Sequence, residues 1–237
     1  MTRFTLPLVA ALGGLIGAGA VWSYERFASP GGADQARIER VVHDYVLAHP
    51  EIIPQAMQGL QERQSGELVA ANREAIVTPF GSAWAGNPQG DVTLVEYFDY
   101  NCGYCRASLP MIADLLKRDG KLRIVYRDLP ILSEASRTAA RASLAAAQQG
   151  KFLAFHDALY AGGPVSDASI TAAAAKAGVG LGAVDSGTID AEIAKNMTVA
   201  AKLGMNGTPS WVVGNRVLSG ALPIEELEKA IAAARGV

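Results

Sequence analysis

Two cysteines stand in 237 residues, and they stand together, as Cys102-Gly103-Tyr104-Cys105. An apolar run with alternating character, Val95-Glu96-Tyr97-Phe98, ends in Asp99-Tyr100-Asn101 directly before them. A C-x-x-C that opens a helix after a strand suits thiol–disulfide chemistry. The helix N-terminus presents free N–H groups and a partial positive charge, which favour a thiolate on the first cysteine. The second cysteine, one turn on, lies on the same side and is able to close a disulfide. A structural staple and half of a metal site are the alternatives. A staple across two residues closes too short a loop to stabilise much. A zinc site needs further ligands, and His43, His49 and His156 are scattered without metal-site spacing to the cysteines.

Composition narrows the class. Half the residues are hydrophobic and the net charge is −2, with both signs dispersed. The length suits one to two domains with a sizeable core. No basic stripe interleaved with aromatics occurs, so nucleic acid is disfavoured as a partner.

The first 24 residues read as an export segment outside the fold. Arg3 precedes an uncharged stretch from Phe4 to Tyr24 that is rich in Leu, Val and Gly. Two outcomes are open. Cleavage after Ala18-Gly19-Ala20 releases a soluble protein. Alternatively the stretch, near the ~20 residues that span a bilayer, stays as a membrane anchor with Trp22 and Tyr24 at the interface. Either outcome places the remainder across the membrane in an oxidising compartment. Residues 25–33, with Ser29-Pro30-Gly31-Gly32, form a linker.

From Asp34 to about Ile76 the apolar spacing is helical. Ile38, Val41, Val42 and Tyr45 share one face, and His49-Pro50 interrupts the pattern. A second helix is expected with Pro50 in its first turn and a stripe of Ile53, Ala56, Met57 and Leu60. These helices are too thin to enclose a core. The 34–80 region therefore packs on the main domain, acts as a solvated spacer, or serves as an oligomerisation arm whose stripes meet about a symmetry axis.

The main domain runs over 91–237. Asp91 to Tyr97 predicts a buried strand, Cys102 to about Arg118 a helix, and Leu122 to Arg127 a second strand. A connection of this length implies parallel strands. Alanine-rich helical windows fill about 133–203 as an insertion; His156 falls there on an apolar face, as a packed rather than a catalytic histidine. Strand signals return at Trp211-Val213 and Val217-Leu218 around a Gly214-Asn215 turn, and Pro223 opens a last helix. Thr208-Pro209 precedes the hairpin. A proline at a strand entrance needs a reason, since it donates nothing to the ladder. A cis peptide there turns the chain sharply and leaves the Thr208 backbone open to a bound segment; the plainer option is a trans proline ending a loop.

In this order, Glu96-Tyr97-Phe98-Asp99-Tyr100, Cys102-Gly103-Tyr104-Cys105, the insertion and Gly207-Thr208-Pro209-Ser210 resemble the DsbA branch of the thioredoxin superfamily. Arg37 to Gln64, with Ala48-His49-Pro50-Glu51-Ile52-Ile53, is similar to the N-terminal arm of ScsC-like and Com1-type proteins. The resemblance implies an α/β thioredoxin fold with a helical insertion behind an α-helical arm. It implies an exported, periplasmic thiol–disulfide oxidoreductase, with isomerase activity favoured, a dedicated oxidase as alternative, and no cofactor beyond the Cys102–Cys105 disulfide. Cys102 becomes the exposed nucleophile and Cys105 the buried resolving thiol. Glu96 becomes the buried acid that exchanges protons with Cys105. Thr208 and cis Pro209 hold a substrate strand, and Gly103 and Tyr104 line the same place. Unfolded or misfolded exported proteins, a membrane redox partner and a homo-oligomer, a trimer by family precedent, are the implied partners. A copper(I)-handling or chaperone protein with the same cysteines as soft ligands is the competing class; no Met-rich or His-rich run accompanies it.

Overall fold

A computed structural model describes residues 32–182 and 185–236. The first 24 residues, read above as an export segment, and the expected linker up to residue 31 lie outside them, while Gly32, expected in that linker, already belongs to a helix. Among the described residues no helix is long and apolar enough to cross a membrane. The chain divides into two compact units, one ending at Gly59 and the other beginning at Leu60.

The first unit holds α1 (Gly32–Ala48) and the first residues of α2 (Ile52–Ala71). Its apolar stripe of Ile38, Val41, Val42, Tyr45, Ile53 and Met57 is exposed, with Val41 63% accessible. The interruption falls at His49-Pro50 as expected, but α2 starts at Ile52. Pro54, not Pro50, occupies the first turn, where a missing N–H leaves no carbonyl without its partner.

In the second unit the rest of α2 and the short α3 (Arg73–Val77) lead into a five-stranded sheet. Its strands are β1 (Trp84–Gly86), β2 (Val92–Phe98), β3 (Leu122–Asp128), β4 (Ser210–Val213) and β5 (Arg216–Ser219), in the order β1-β3-β2-β4-β5. β2 and β3 run parallel, joined by α4 (Gly103–Arg118), while the other pairings are antiparallel. This is the thioredoxin arrangement. β1 sits inside Gly81–Gly90, whose glycines and Pro88 read as turns in the sequence. Three residues are too few for periodicity, and it is Gly86, at φ 84, that lets the edge approach: a Cβ there would lie 2.5 Å from the Leu122 carbonyl.

The insertion consists of α5 (Glu134–Gln148), α6 (Phe152–Ala161), α7 (Asp167–Ala177) and α8 (Ser186–Lys202). Side chains begin three of them: Ser133 accepts from Ser136 N, Ser166 forms a capping box with Ser169, and Asp185 accepts from Gly187 and Thr188 N. α9 (Ile224–Arg235) buries Leu227 and Ile231 in the core.

Alternation along β2 divides the core. Leu94 and Phe98 join Ile124, Tyr126, Trp211, both cysteines and the α5, α6 and α9 side chains on one face. Val95 and Tyr97 join Val125, Val212, Val69, Ile76, Val199 and Leu203 on the other. On that second face Arg127, 1% exposed, donates to the carbonyls of Ile76 and Thr78 and is ion-paired with buried Glu192. Desolvation lowers the Arg127 pKa, and the Glu192 charge opposes that shift. The C-terminal half of α2 lies against the β4–β5 turn. A Cβ on Gly66 would meet Asn215 O at 3.4 Å.

Candidate active site

The site forms where β2 ends and α4 begins. Asp99-Tyr100-Asn101-Cys102 is a tight turn closed by Cys102 N–H donating to Asp99 O at 2.9 Å. It delivers Cys102 to the N-cap of α4 in extended backbone, φ −80 and ψ 115. There the Cys105 N–H points at Cys102 Sγ from 3.4 Å. The Cys102 sulfur is therefore the side-chain cap of α4, set where the free helix-terminal N–H groups converge.

Both cysteines are free thiols in this structure. The expectation of an exposed Cys102 is corrected: it is 6% accessible, against 1% for Cys105. Part of its cover is the loop before β4, since Cys102 Sγ donates to Thr208 O at 3.1 Å. The Thr208–Pro209 peptide is cis, the reading that the family resemblance implied, rather than the plainer trans proline. Pro209 is buried and Thr208 half-buried, with its Oγ1 buried and without a hydrogen-bond partner. Gly103 and Tyr104 are exposed, Tyr104 at 70%, so the rim of the site carries a bare aromatic ring.

Glu96 lies beneath. Val95 and Tyr97 belong to the opposite face, so alternation turns Glu96 inward, between Tyr126 on β3 and Trp211 on β4. It is 1% exposed and its Oε2 has no hydrogen-bond partner. Burial, reinforced by the nearby Cys102, raises its pKa to about 8, so it keeps its proton at neutral pH. Burial first, and then the charge of Glu96, push the Cys105 thiol far above the ordinary thiol range. The arrangement pairs a helix-capping sulfur with a buried, proton-holding thiol and a buried acid close to both. That set is able to exchange disulfides: the outer sulfur attacks or is attacked, and the inner one closes the ring once its proton has an acceptor.

The sequence-predicted residues Cys102, Cys105, Glu96, Gly103, Tyr104, Thr208 and Pro209 are thus assembled around one turn and one loop. Asp99 was missed. Its carboxylate accepts from Asn101 N at 2.8 Å and from Ile131 and Leu132 N, both at 3.0 Å, tying the turn to the loop after β3. An aspartate opening a tight turn is the signal that identifies it. Arg106 was missed as well. It follows Cys105 on α4 and donates to Tyr160 O and Gly163 O at the end of α6, at 2.5 and 2.6 Å. His156 is packed, as its apolar face indicated: 2% exposed, and with its pKa lowered by burial to about 3. Among the described residues no group of three or more His, Cys, Asp and Glu side chains is placed to hold a metal ion.

Comparison with known proteins agrees with this geometry. A family model described as thioredoxin matches residues 80–233, and one described as the copper resistance protein ScsC N-terminal domain matches residues 34–67. A thioredoxin-like oxidoreductase from Silicibacter pomeroyi is 40% identical, with TM-score 0.65 over 70% of this chain and 99% of that one. The thiol-disulfide exchange protein alpha-DsbA2 of Wolbachia pipientis is 26% identical, with TM-score 0.67 over 73% of this chain and 97% of that one. Among curated proteins the Na(+)/H(+) antiporter NhaA 1 of Salinispora arenicola is 31% identical over 156 residues, 63% of this chain and 24% of that protein. The chain spans about a quarter of the length of the curated relatives it matches.

Proposed function

Because the chain belongs to the thioredoxin family, in its ScsC-like and DsbA-like branch, we propose that it is an exported protein thiol–disulfide oxidoreductase that works as a disulfide isomerase in the periplasm. The observation that carries the reading is the convergence at Cys102: helix-terminal N–H groups on one side and the cis Thr208–Pro209 loop on the other. In the forward reaction the Cys102 thiolate attacks a client disulfide. One client sulfur leaves as a thiolate and takes up a proton, and a mixed disulfide forms. Cys105 then loses its proton, with Glu96 mediating its removal. It either displaces the client as a thiol, which oxidises the pair, or waits while a client thiolate re-pairs and frees Cys102 unchanged. The second course is isomerisation, with no net electron transfer. Thr208 and Pro209 hold the client segment alongside, and Gly103 and Tyr104 form the floor that it crosses.

The isomerase reading draws support from the arm. An exposed stripe of Ile38, Val41, Val42 and Tyr45 on α1 suits self-association, which sets several active sites around one client. The test is recovery of a scrambled disulfide client by the protein with and without residues 34–59, a truncation that leaves the core residues Val69 and Ile76 in place, alongside the solution mass of each. Loss of isomerase activity and fall to a monomer on truncation are expected. Full isomerase activity in a truncated monomer overturns the role of the arm. For the copper(I) alternative, titration of the protein and of Cys102→Ser with Cu(I) decides: tight binding without measurable thiol exchange replaces the enzyme reading.

A further inference from the structure

The turn that delivers Cys102 is fastened at every residue, and most of the fastenings come from the helical insertion. Asp99 O accepts from the Tyr160 hydroxyl on α6 at 3.3 Å. Asn101 Nδ2 donates to Ser133 Oγ at 2.7 Å and Ser136 Oγ at 3.2 Å, at the start of α5. Tyr100 reaches deepest. Its hydroxyl donates to Ser143 Oγ on α5 at 3.1 Å and shares a hydrogen bond with His156 Nδ1 on α6 at 3.2 Å, while the Ser143 hydroxyl goes on to Asp128 Oδ2 at 3.2 Å. The four members of this chain are each no more than 2% exposed, and it ends at both sides in an atom without a partner, Asp128 Oδ1 and His156 Nε2. None of the four is needed for the exchange chemistry itself.

We propose that Tyr100 is a positioning residue for the redox pair: through Ser143 and His156 it locks the Asp99–Cys102 turn to the insertion and so fixes Cys102 Sγ on the α4 N-terminus. The proposal rests on the reading of Cys102 and Cys105 as an exchanging pair. Position, not charge, is what the chain supplies. Burial pushes the Asp128 carboxyl upward and the His156 ring downward, so both ends favour the uncharged form. A thiolate held by helix-terminal N–H groups stabilises the reduced form and makes the pair more oxidising. Freeing the turn loosens the 3.4 Å approach of Cys105 N–H to Cys102 Sγ. The reduced form then loses support and the balance moves toward the disulfide.

The experiment equilibrates the protein with reduced and oxidised glutathione, in which the dithiol and one glutathione disulfide give the protein disulfide and two glutathione thiols. Tyr100→Phe removes the hydroxyl and keeps the ring. It should shift the equilibrium constant about fivefold toward the protein disulfide, the equivalent of one ordinary hydrogen bond, and slow alkylation of Cys102 by iodoacetamide at fixed pH. Ser143→Ala, nearly isosteric, should shift both in the same direction. The double variant should shift them no further than Tyr100→Phe alone, since one chain is broken in both. If Tyr100→Phe fails to fold, Ser143→Ala carries the test. Variants that lose urea stability but keep the wild-type glutathione equilibrium and alkylation rate overturn the proposal, as do two effects that simply add. A wild-type pair that never equilibrates with glutathione overturns the exchange reading instead.

Discussion

Glu96 makes the reduced protein less stable as pH rises, and the size of the effect follows from its burial. Its ordinary value of 4.5 becomes about 8 in the fold, with burial as the first cause and Cys102 as the second. Between those values the unfolded chain has released the proton and the folded chain still holds it. The folded state therefore binds more protons, and stability falls with rising pH across that window and levels off above about pH 8. At about 1.4 kcal/mol for each pH unit in which the two states differ fully, the loss between about pH 5 and pH 8 comes to roughly 3 kcal/mol. Glu96→Gln keeps the shape and abolishes the titration. The assay is urea unfolding of the reduced protein, wild type and variant, across that range. The difference between their stabilities should grow with pH in favour of the glutamine. Parallel profiles, differing by a constant within about 0.5 kcal/mol, would refute a desolvated, proton-holding carboxyl beneath the cysteines.

Three further outcomes are expected. The same Glu96→Gln change should slow resolution of a mixed disulfide by about 100-fold, seen as accumulation of the client adduct in quenched, alkylated samples, because the ionised fraction of Glu96, which grows toward pH 8, is what accepts the Cys105 proton. Glu192→Gln leaves the Arg127 charge buried against carbonyls alone and should cost about 3 kcal/mol in urea unfolding, with Cys102 reactivity toward a small disulfide unchanged. Val41→Glu places a charge in the exposed α1 stripe and should lower the solution mass to that of a monomer, while exchange with glutathione persists.

The pair, its strand and its helix were legible because each rests on local chemistry: period-2 alternation into a turn, then cysteines at an N-cap. Glu96 was readable only conditionally. Alternation puts it opposite Val95 and Tyr97 but does not say which face holds the cysteines; the packing of Leu94 and Phe98 with Cys102 and Cys105 settles that. The clamp on the turn was not readable. Tyr100 meets Ser143 and His156 across 43 and 56 residues, and in the sequence each of them looks like one more residue on an apolar helix face. The Arg127–Glu192 pair spans 65 residues and is hidden for the same reason. β1 escaped because a three-residue edge has no period, and Cys102 looked open because nothing local announces the Thr208 carbonyl that covers it.

Gly66 has a mechanical meaning. A glycine inside a helix costs about 1 kcal/mol relative to alanine, and here it leaves the Asn215 turn seated directly on the α2 backbone. Strand β4 runs from that turn to Ser210, next to cis Pro209 and the carbonyl that touches Cys102. β4 is thus a short strut with α2 under one end and the nucleophile at the other. A Cβ at 66 would already touch Asn215, so the loop that carries cis Pro209 is braced, through β4, on the root of the helix that leads into the domain.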